Sequence, residues 1–365
     1  MNFLDLPILY KSLLLFGVSI FVFSILTLIF TKVFTKAGLL DHPEKYPHEK
    51  WRKPLPYWFW IIMFLSFALI SVVFLDFAVK KIIFILILWL ILAIFNFVDD
   101  MDTIWVSKIK VSPLLRLILQ IFIGAVIWIT SIKIWYISNI FWWITHLDNY
   151  FFNIWSIRIY MIPLLFTIAW YVLVFNAINW SDAIPWMTTW LSFVAMIIIA
   201  ILTIKLYITD TSFLSKENSE FVLEILSIIL PMVVLIWVFD RKKFLIWDWW
   251  TMFLGFIIAT LAIISGWKVA TVASVLWVYI IDAFYVIFIR LYNKKNPLKW
   301  DMIHHLHFRL RKLGFSDSFI RNLVYALSFM FWLWAIFLDK IGKIITFSIL
   351  IIIVVFVTKI LSLKK

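Results

Sequence analysis

The sequence predicts an all-α polytopic membrane protein with about eleven transmembrane helices, forming a single integral-membrane domain over residues 1–365. Three observations carry this prediction. Hydrophobic residues make up 65% of the chain and the mean hydropathy is +1.04, where a soluble domain is about 45–50% apolar. The apolar residues fall in runs close to the roughly 20 residues that cross a bilayer core as a helix. The breaks between runs hold most of the charge, and that charge is uneven, with 33 Lys and Arg against 20 Asp and Glu and a net charge of +13. This composition excludes a soluble cytosolic enzyme, a disordered chain and a disulfide scaffold. The lack of Cys also excludes thiolate metal sites and cysteine nucleophiles.

Each run is set by its flanking breaks. The first, 8–32, is expected to be a span and not a cleaved leader, because it lacks a basic leading region and a small-residue cleavage site. The next, 55–75, follows Pro54-Leu55-Pro56 and ends at Asp76. A third, 82–98, lies between Lys80-Lys81 and Asp99-Asp100. The run 113–131 starts at Pro113 and stops before Lys133. Residues 133–157 are too interrupted to span, and their Trp135, Tyr136, Trp142, Trp143, Tyr150 and Trp155 read as an interfacial loop or helix. Further spans are expected at 159–178, 186–207, 220–238, 251–266, 269–290, 320–338 and 342–361. Between them lie Asn179 to Asp182, Asp210, Arg241-Lys242-Lys243 and the long basic, His-containing loop 290–320.

The positive-inside rule orients the bundle with its N-terminus outside and its C-terminus cytoplasmic. The basic face then meets anionic lipid headgroups, or gathers anionic substrates such as nucleotide sugars and lipid phosphates.

Almost every strongly polar cluster falls on that inside face. Ionisable residues at membrane depth usually line a water-filled site. Asp99 and Asp100, with Asp102 within a turn, repel one another and call for a cation, a base role or open water. Asn176, Asn179 and Asp182 recur at intervals of three and are expected on one helix face pointing into the bundle. Asp248 precedes the span 251–266, where a lone Asp is ordinarily a helix N-cap. His304, His305 and His307 with Arg309 could bind a transition metal. Without Cys, and with hard carboxylates elsewhere, they suit a phosphate-binding loop better. Hard oxygen donors, cationic loops and a membrane mouth together suggest Mg²⁺-assisted phosphoryl chemistry on a lipid.

At these residues the chain resembles the polyprenyl-phosphate N-acetylhexosamine-1-phosphate transferases, from about Asp41 to Gly314. The early loop with Asp41, Pro43, His48 and Pro54-Leu55-Pro56 is similar to the family's first cytoplasmic loop. VDDMD at 98–102 resembles its DDxxD element, and NAINWSD at 176–182 its NxxNxxDG element. FDRKKFLIWDWWTMFLG at 239–255 is similar to FNPAKVFLGDSGSLFLG, and HLHFRLRKLG at 305–314 to HLHHRLLDLG. Pro185 stands where the family often has a second Asp, and Phe308 replaces one His while His304 adds another.

The resemblance implies transfer of an N-acetylhexosamine 1-phosphate, GlcNAc-1-phosphate first among the candidates, from a UDP-sugar to undecaprenyl phosphate, with release of UMP. This would initiate a cell-envelope glycan. It implies Mg²⁺, or Mn²⁺ in its place, held by Asp248. Asp99, Asp100 and Asp182 would be catalytic. Asn176, Asn179, His48, Lys53, Lys243, His304, His305, His307 and Arg309 would bind substrate. The expected setting is the inner cell membrane with a cytoplasmic site, without nucleic acid, and a homodimer is an open option. The rivals are a phospho-N-acetylmuramoyl-pentapeptide transferase, a transporter and a non-catalytic membrane scaffold.

One departure follows a rule. Trp stands on family glycine positions at Trp58, Trp60, Trp186, Trp190, Trp247 and Trp250, and at Trp267 and Trp300. The chain has 23 Trp and only 7 Gly. Glycine serves such loops by permitting positive φ and close backbone approach to phosphate, and Trp obstructs both. We read this as UGA codons that specify glycine and are rendered here as Trp. UGG at 186, 190, 247 and 250 would refute it.

Overall fold

The structure, a computed structural model, describes residues 3, 6–43, 53–57, 59–103, 111–130, 132–138, 144–154, 157–240, 249–266, 272–273, 275–297, 301, 303–337, 342, 345, 348–349 and 352. Helices dominate. In chain order they are α1 (Ile8–Lys36), α2 (Phe59–Phe74), α3 (Lys80–Thr103), α4 (Pro113–Ile129), α5 (Met161–Trp180), α6 (Met187–Thr209), α7 (Phe213–Phe239), α8 (Trp249–Ile264), α9 (Trp277–Tyr292), α10 (Leu306–Lys312) and α11 (Asp317–Phe337). Five segments are long and apolar enough to cross a membrane: Ile8–Lys36, Lys80–Met101, Met161–Ala183, Met187–Thr209 and Phe213–Phe239. Three shorter apolar helices, Trp60–Phe74, Pro113–Ile129 and Trp250–Ile264, accompany them. The expected span at 342–361 falls almost wholly outside the described residues.

Three expectations change. Residues 133–157 hold two antiparallel hairpins in place of a loop or helix: β1 (Tyr136–Ser138) pairs with β2 (Ile144–His146), and β3 (Phe151–Ile154) with β4 (Ile157–Tyr160). Helical hydrogen bonding satisfies a backbone within one segment, whereas each of these short strands must borrow a partner. Among the described residues the expected span 269–290 is interrupted at Leu276, with 272, 273 and 275 helical before it and the helix Trp277–Tyr292 after it. The basic loop 290–320 contains α10, which carries Arg309, Arg311 and Lys312 in its last turn, where cations suit the helix dipole.

Helix α8 sits deepest, with every residue from 250 to 262 buried. A helix apolar all round belongs inside other helices. It packs against α5, α6, α3, α2 and α7. Close approach depends on two glycines. A Cβ on Gly255 of α8 would lie 3.1 Å from the Phe175 Cα of α5, and one on Gly124 of α4 would lie 2.9 Å from the Ile168 Cα of α5. Phe253 of α8 stacks on Trp89 of α3 at 3.4 Å between ring centroids. The outermost helix, α1, leaves Leu9, Leu13, Phe16, Phe21, Leu28 and Val33 exposed, an apolar face suited to lipid.

The segment before α2 folds back on the end of α1. Leu40 and Pro56 form an antiparallel bridge, the Asp41 amide donates to the Leu55 carbonyl at 2.9 Å, and the Leu55 amide donates to Asp41 Oδ1 at 2.6 Å. This ladder delivers Tyr57 and Trp60 to the end of α3.

Candidate active site

The last turn of α3 presents Asp99 and Asp100 in opposite settings. Asp100 is 1% exposed. It accepts the Trp60 indole N–H at Oδ2, 2.7 Å away, and the Tyr57 hydroxyl at Oδ1, 3.2 Å away. Asp99 accepts the Val111 amide at 2.8 Å and pairs with Arg116 of α4 at 2.5 Å. The repulsion expected between adjacent carboxylates is thus relieved by separate sets of donors, Trp60 and Tyr57 for Asp100 and Val111 and Arg116 for Asp99.

Asn176, Asn179 and Asp182 each meet a different helix. Helix α5 ends at Trp180, and Asp182 belongs to the 3₁₀ turn Ser181–Ala183 that follows. Asn176 donates to Gln120 Oε1 of α4 at 2.8 Å. Asn179 donates to Thr251 Oγ1 of α8 at 2.9 Å. Asp182 accepts from the Thr188 hydroxyl of α6 at 3.0 Å. The motif therefore ties three helices together. Through Thr251, three residues beyond Asp248, it also reaches the start of α8.

After this turn the chain passes Pro185 and enters α6 through Trp186, which has φ 66° and ψ −2°. A bulky residue in the left-handed region is an outlier that glycine relieves. The backbone at Trp186 is thus one that glycine permits, at a position where the sequence resemblance expects glycine. The Trp186 carbonyl accepts the Tyr325 hydroxyl of α11 at 2.9 Å, and the Ala183 carbonyl accepts from Arg311 of α10 at 3.2 Å. Trp190 packs on Tyr325 at 4.9 Å between ring centroids. Trp250 is buried at the start of α8.

The His loop enters from α9. Arg290 binds Asp301 at 2.8 Å, and Asp301 in turn accepts the His304 amide at 2.7 Å and contacts its Nδ1 at 2.8 Å. Burial works against the Asp301 charge, yet the hydrogen bonds from the His304 amide and ring and from the Ile303 amide outweigh it and hold the carboxyl well below the usual carboxylate range. His304 is thereby engaged with Asp301. His305 and His307 stack nearly parallel, 5.5 Å between ring centroids, and the Trp180 ring lies 5.7 Å from His305. His307 is 3% exposed. Burial first, then the charges of His305, Arg311 and Arg309, push its imidazole well below its ordinary value, so it is neutral. Neither of its ring nitrogens has a hydrogen-bond partner among the described residues. Arg309 lies 4.6 Å over the Tyr285 ring, and its Nε and Nη1 likewise lack partners there. Buried donors of this kind suit an anion.

Asp282 of α9 is the residue that the sequence reading missed. It is 2% exposed and receives His305 Nδ1 and the Leu306 amide, each at 2.7 Å. A lone carboxylate inside an apolar run was the available signal.

Lys53 lies exposed before the bridge at Pro56. His48, Lys243 and Asp248 lie outside the described residues, as do Trp58, Trp247, Trp267 and Trp300. Among the described residues no three His, Asp or Glu side chains come close enough together to hold a metal.

Residues 81–266 match glycosyl transferase family 4. The match includes Asp99, Asp100, the Asn176 to Asp182 segment and Asp248, and stops short of the His loop. A probable undecaprenyl-phosphate N-acetylglucosaminyl 1-phosphate transferase of Bacillus subtilis (strain 168) is 25% identical over 198 residues, which cover 52% of this chain and 52% of that relative. The chain thus aligns with about half the length of the curated relative.

Proposed function

The chain belongs to glycosyl transferase family 4, and from that premise we propose that it transfers an N-acetylhexosamine 1-phosphate, GlcNAc-1-phosphate foremost, from a UDP-sugar to undecaprenyl phosphate with release of UMP. The observation that carries this reading is the bond from Asn179 to Thr251 at 2.9 Å. It supports a shared site for the end of α5 and the segment led by Asp248, next to the carboxylates that close α3.

In this reaction one phosphate oxygen attacks another phosphorus, so catalysis rests on charge neutralisation and alignment. Asp100 acts as base or activator at the lipid phosphate, with Asp99 beside it oriented by Arg116. Asn176, Asn179 and Asp182 hold the nucleotide side. His305, His307 and Arg309 bind the pyrophosphate through their N–H groups, and His304, His48, Lys53 and Lys243 assist. Mg²⁺, or Mn²⁺, is proposed at Asp248, where it would neutralise phosphate charge. The apolar outer faces of the spans accommodate the polyprenyl tail. The membrane arrangement is proposed as about eleven spans in the inner cell membrane, N-terminus outside, with the site cytoplasmic.

Purified protein with glycine at the UGA positions should release UMP from UDP-N-acetylglucosamine only when undecaprenyl phosphate and Mg²⁺ are both present. No UMP under those conditions refutes the transferase reading. Asp248→Asn should abolish release without unfolding the bundle. Sidedness is tested on a chain without Cys by a single Cys at position 296, which should react with an impermeant maleimide only from the cytoplasmic side.

A further inference from the structure

Asp282 uses both carboxylate oxygens at once. Oδ2 meets Nδ1 of His305 at 2.7 Å. Oδ1 accepts the Leu306 amide at 2.7 Å and lies 3.8 Å from Arg309 Nη2. These partners are the residue that enters α10, the first residue of that helix and a guanidinium one turn on. An unpaired carboxylate buried in an apolar helix is costly, and three donors from the His loop offset that cost. An ionised carboxylate only accepts hydrogen bonds, so the proton between it and His305 sits on Nδ1 and leaves Nε2 for another partner.

We propose that Asp282 is a positioning residue for the transfer reaction. It fixes His305 by accepting its Nδ1–H and anchors the start of α10, so that, when phosphate binds, Nε2 of the ring, carrying a second proton, and the guanidinium of Arg309 donate to its oxygens. This rests on the reading of His305 and Arg309 as phosphate-binding residues. An amide at 282 could not replace the carboxylate, because its NH2 would stand where Oδ1 or Oδ2 accepts and would face one of the two donors, the His305 ring or the Leu306 amide.

The test uses the full chain, labelled with ¹⁵N-histidine in detergent, and the Asp282→Asn and Asp282→Glu variants. His305 is assigned by the signal lost in His305→Gln. With UDP-N-acetylglucosamine bound, the wild-type ring should show protons on both nitrogens, and Asp282→Asn, which can set an amide N–H against Nδ1, should leave only the Nε2 proton. The same variant should lower the rate of UMP release by about 10- to 100-fold, the scale found for carboxylates that orient a working imidazole. Asp282→Glu, which keeps two acceptor oxygens, should recover part of both signals. Wild-type turnover by Asp282→Asn overturns the proposal, and so does a lost rate with an unmoved His305 resonance. If the wild-type chain itself releases no UMP, the transferase reading fails on its own. The role of Asp282 is then decided by the resonance, and a signal unchanged by Asp282→Asn refutes it.

Discussion

The indole N–H of Trp60 donates to Asp100 Oδ2 at 2.7 Å while the Tyr57 hydroxyl occupies Oδ1, so the most buried acid of the α3 pair is covered from the preceding loop. Hydrogen bonds to a charged group contribute about 1.5–3 kcal/mol each. A base held this way gives up that stabilisation when it takes a proton. Trp60→Gly, the exchange suggested by the sequence resemblance, should raise the rate of UMP release by about tenfold. Trp60→Phe separates loss of the N–H from loss of ring volume. Unchanged rates in both variants would remove Asp100 from the base role.

Trp186 gives a prediction on stability. Its φ of 66° costs a side-chain-bearing residue about 1–2 kcal/mol, and glycine bears no such cost. Trp186→Ala and Trp186→Gly both delete the ring, so their difference isolates the backbone. The Gly variant should exceed the Ala variant by about 1 kcal/mol in unfolding experiments in detergent. Equal stabilities would show that the turn is not strained.

His307 gives a pH dependence with a definite sign. Its folded-state value lies well below the ordinary one, so the unfolded chain binds the proton more readily. Stability from this group is complete above about pH 6.5, the unfolded value. It is lost as pH falls from there toward the folded value, by up to about 1.4 kcal/mol per pH unit. Asp301 is also held below its usual range, but its contribution fades only below about pH 4. Melting between pH 7.5 and 5 should therefore show a decline that His307→Leu flattens. A parallel decline in that variant would assign it elsewhere.

Gly124 tests the packing of α4 on α5. A Cβ there would stand 2.9 Å from the backbone of Ile168, which cannot move aside as a side-chain end does. Gly124→Ala should lower stability by about 1–3 kcal/mol, the usual cost of overpacking. Gly17, which has open space where a Cβ would go, provides the control.

Much of the helical layout was legible because a bilayer demands long apolar runs. Helices α1, α3, α6 and α7 appear where hydropathy and charged breaks place them. The hairpins were hidden for a physical reason: strands of three or four residues, such as Tyr136–Ser138, are too short for alternation to stand out among aromatic residues. In the site, Asp99, Asp100, Asn179 and His305 were visible as polar residues that lipid would not tolerate. Their partners were not, because Trp60, Thr251 and Asp282 reach them only across the fold. Asp282 was further masked by the apolar residues around it, which made 269–290 read as an uninterrupted span. The spacing of Asn176, Asn179 and Asp182 did not reveal that they bond to three different helices, α4, α8 and α6.

The turn that leads into α6 is gripped by residues made much later: Arg311 holds the Ala183 carbonyl across 128 positions of sequence, and Tyr325 holds the Trp186 carbonyl across 139. Chains are synthesised at about 5–20 residues per second, so that turn waits roughly 7 to 28 s on the ribosome for its clasp. During this interval the turn lacks the α10 and α11 contacts that brace it. The entry to α6 is thus a late product of biosynthesis, finished only when Arg311 and Tyr325 have docked.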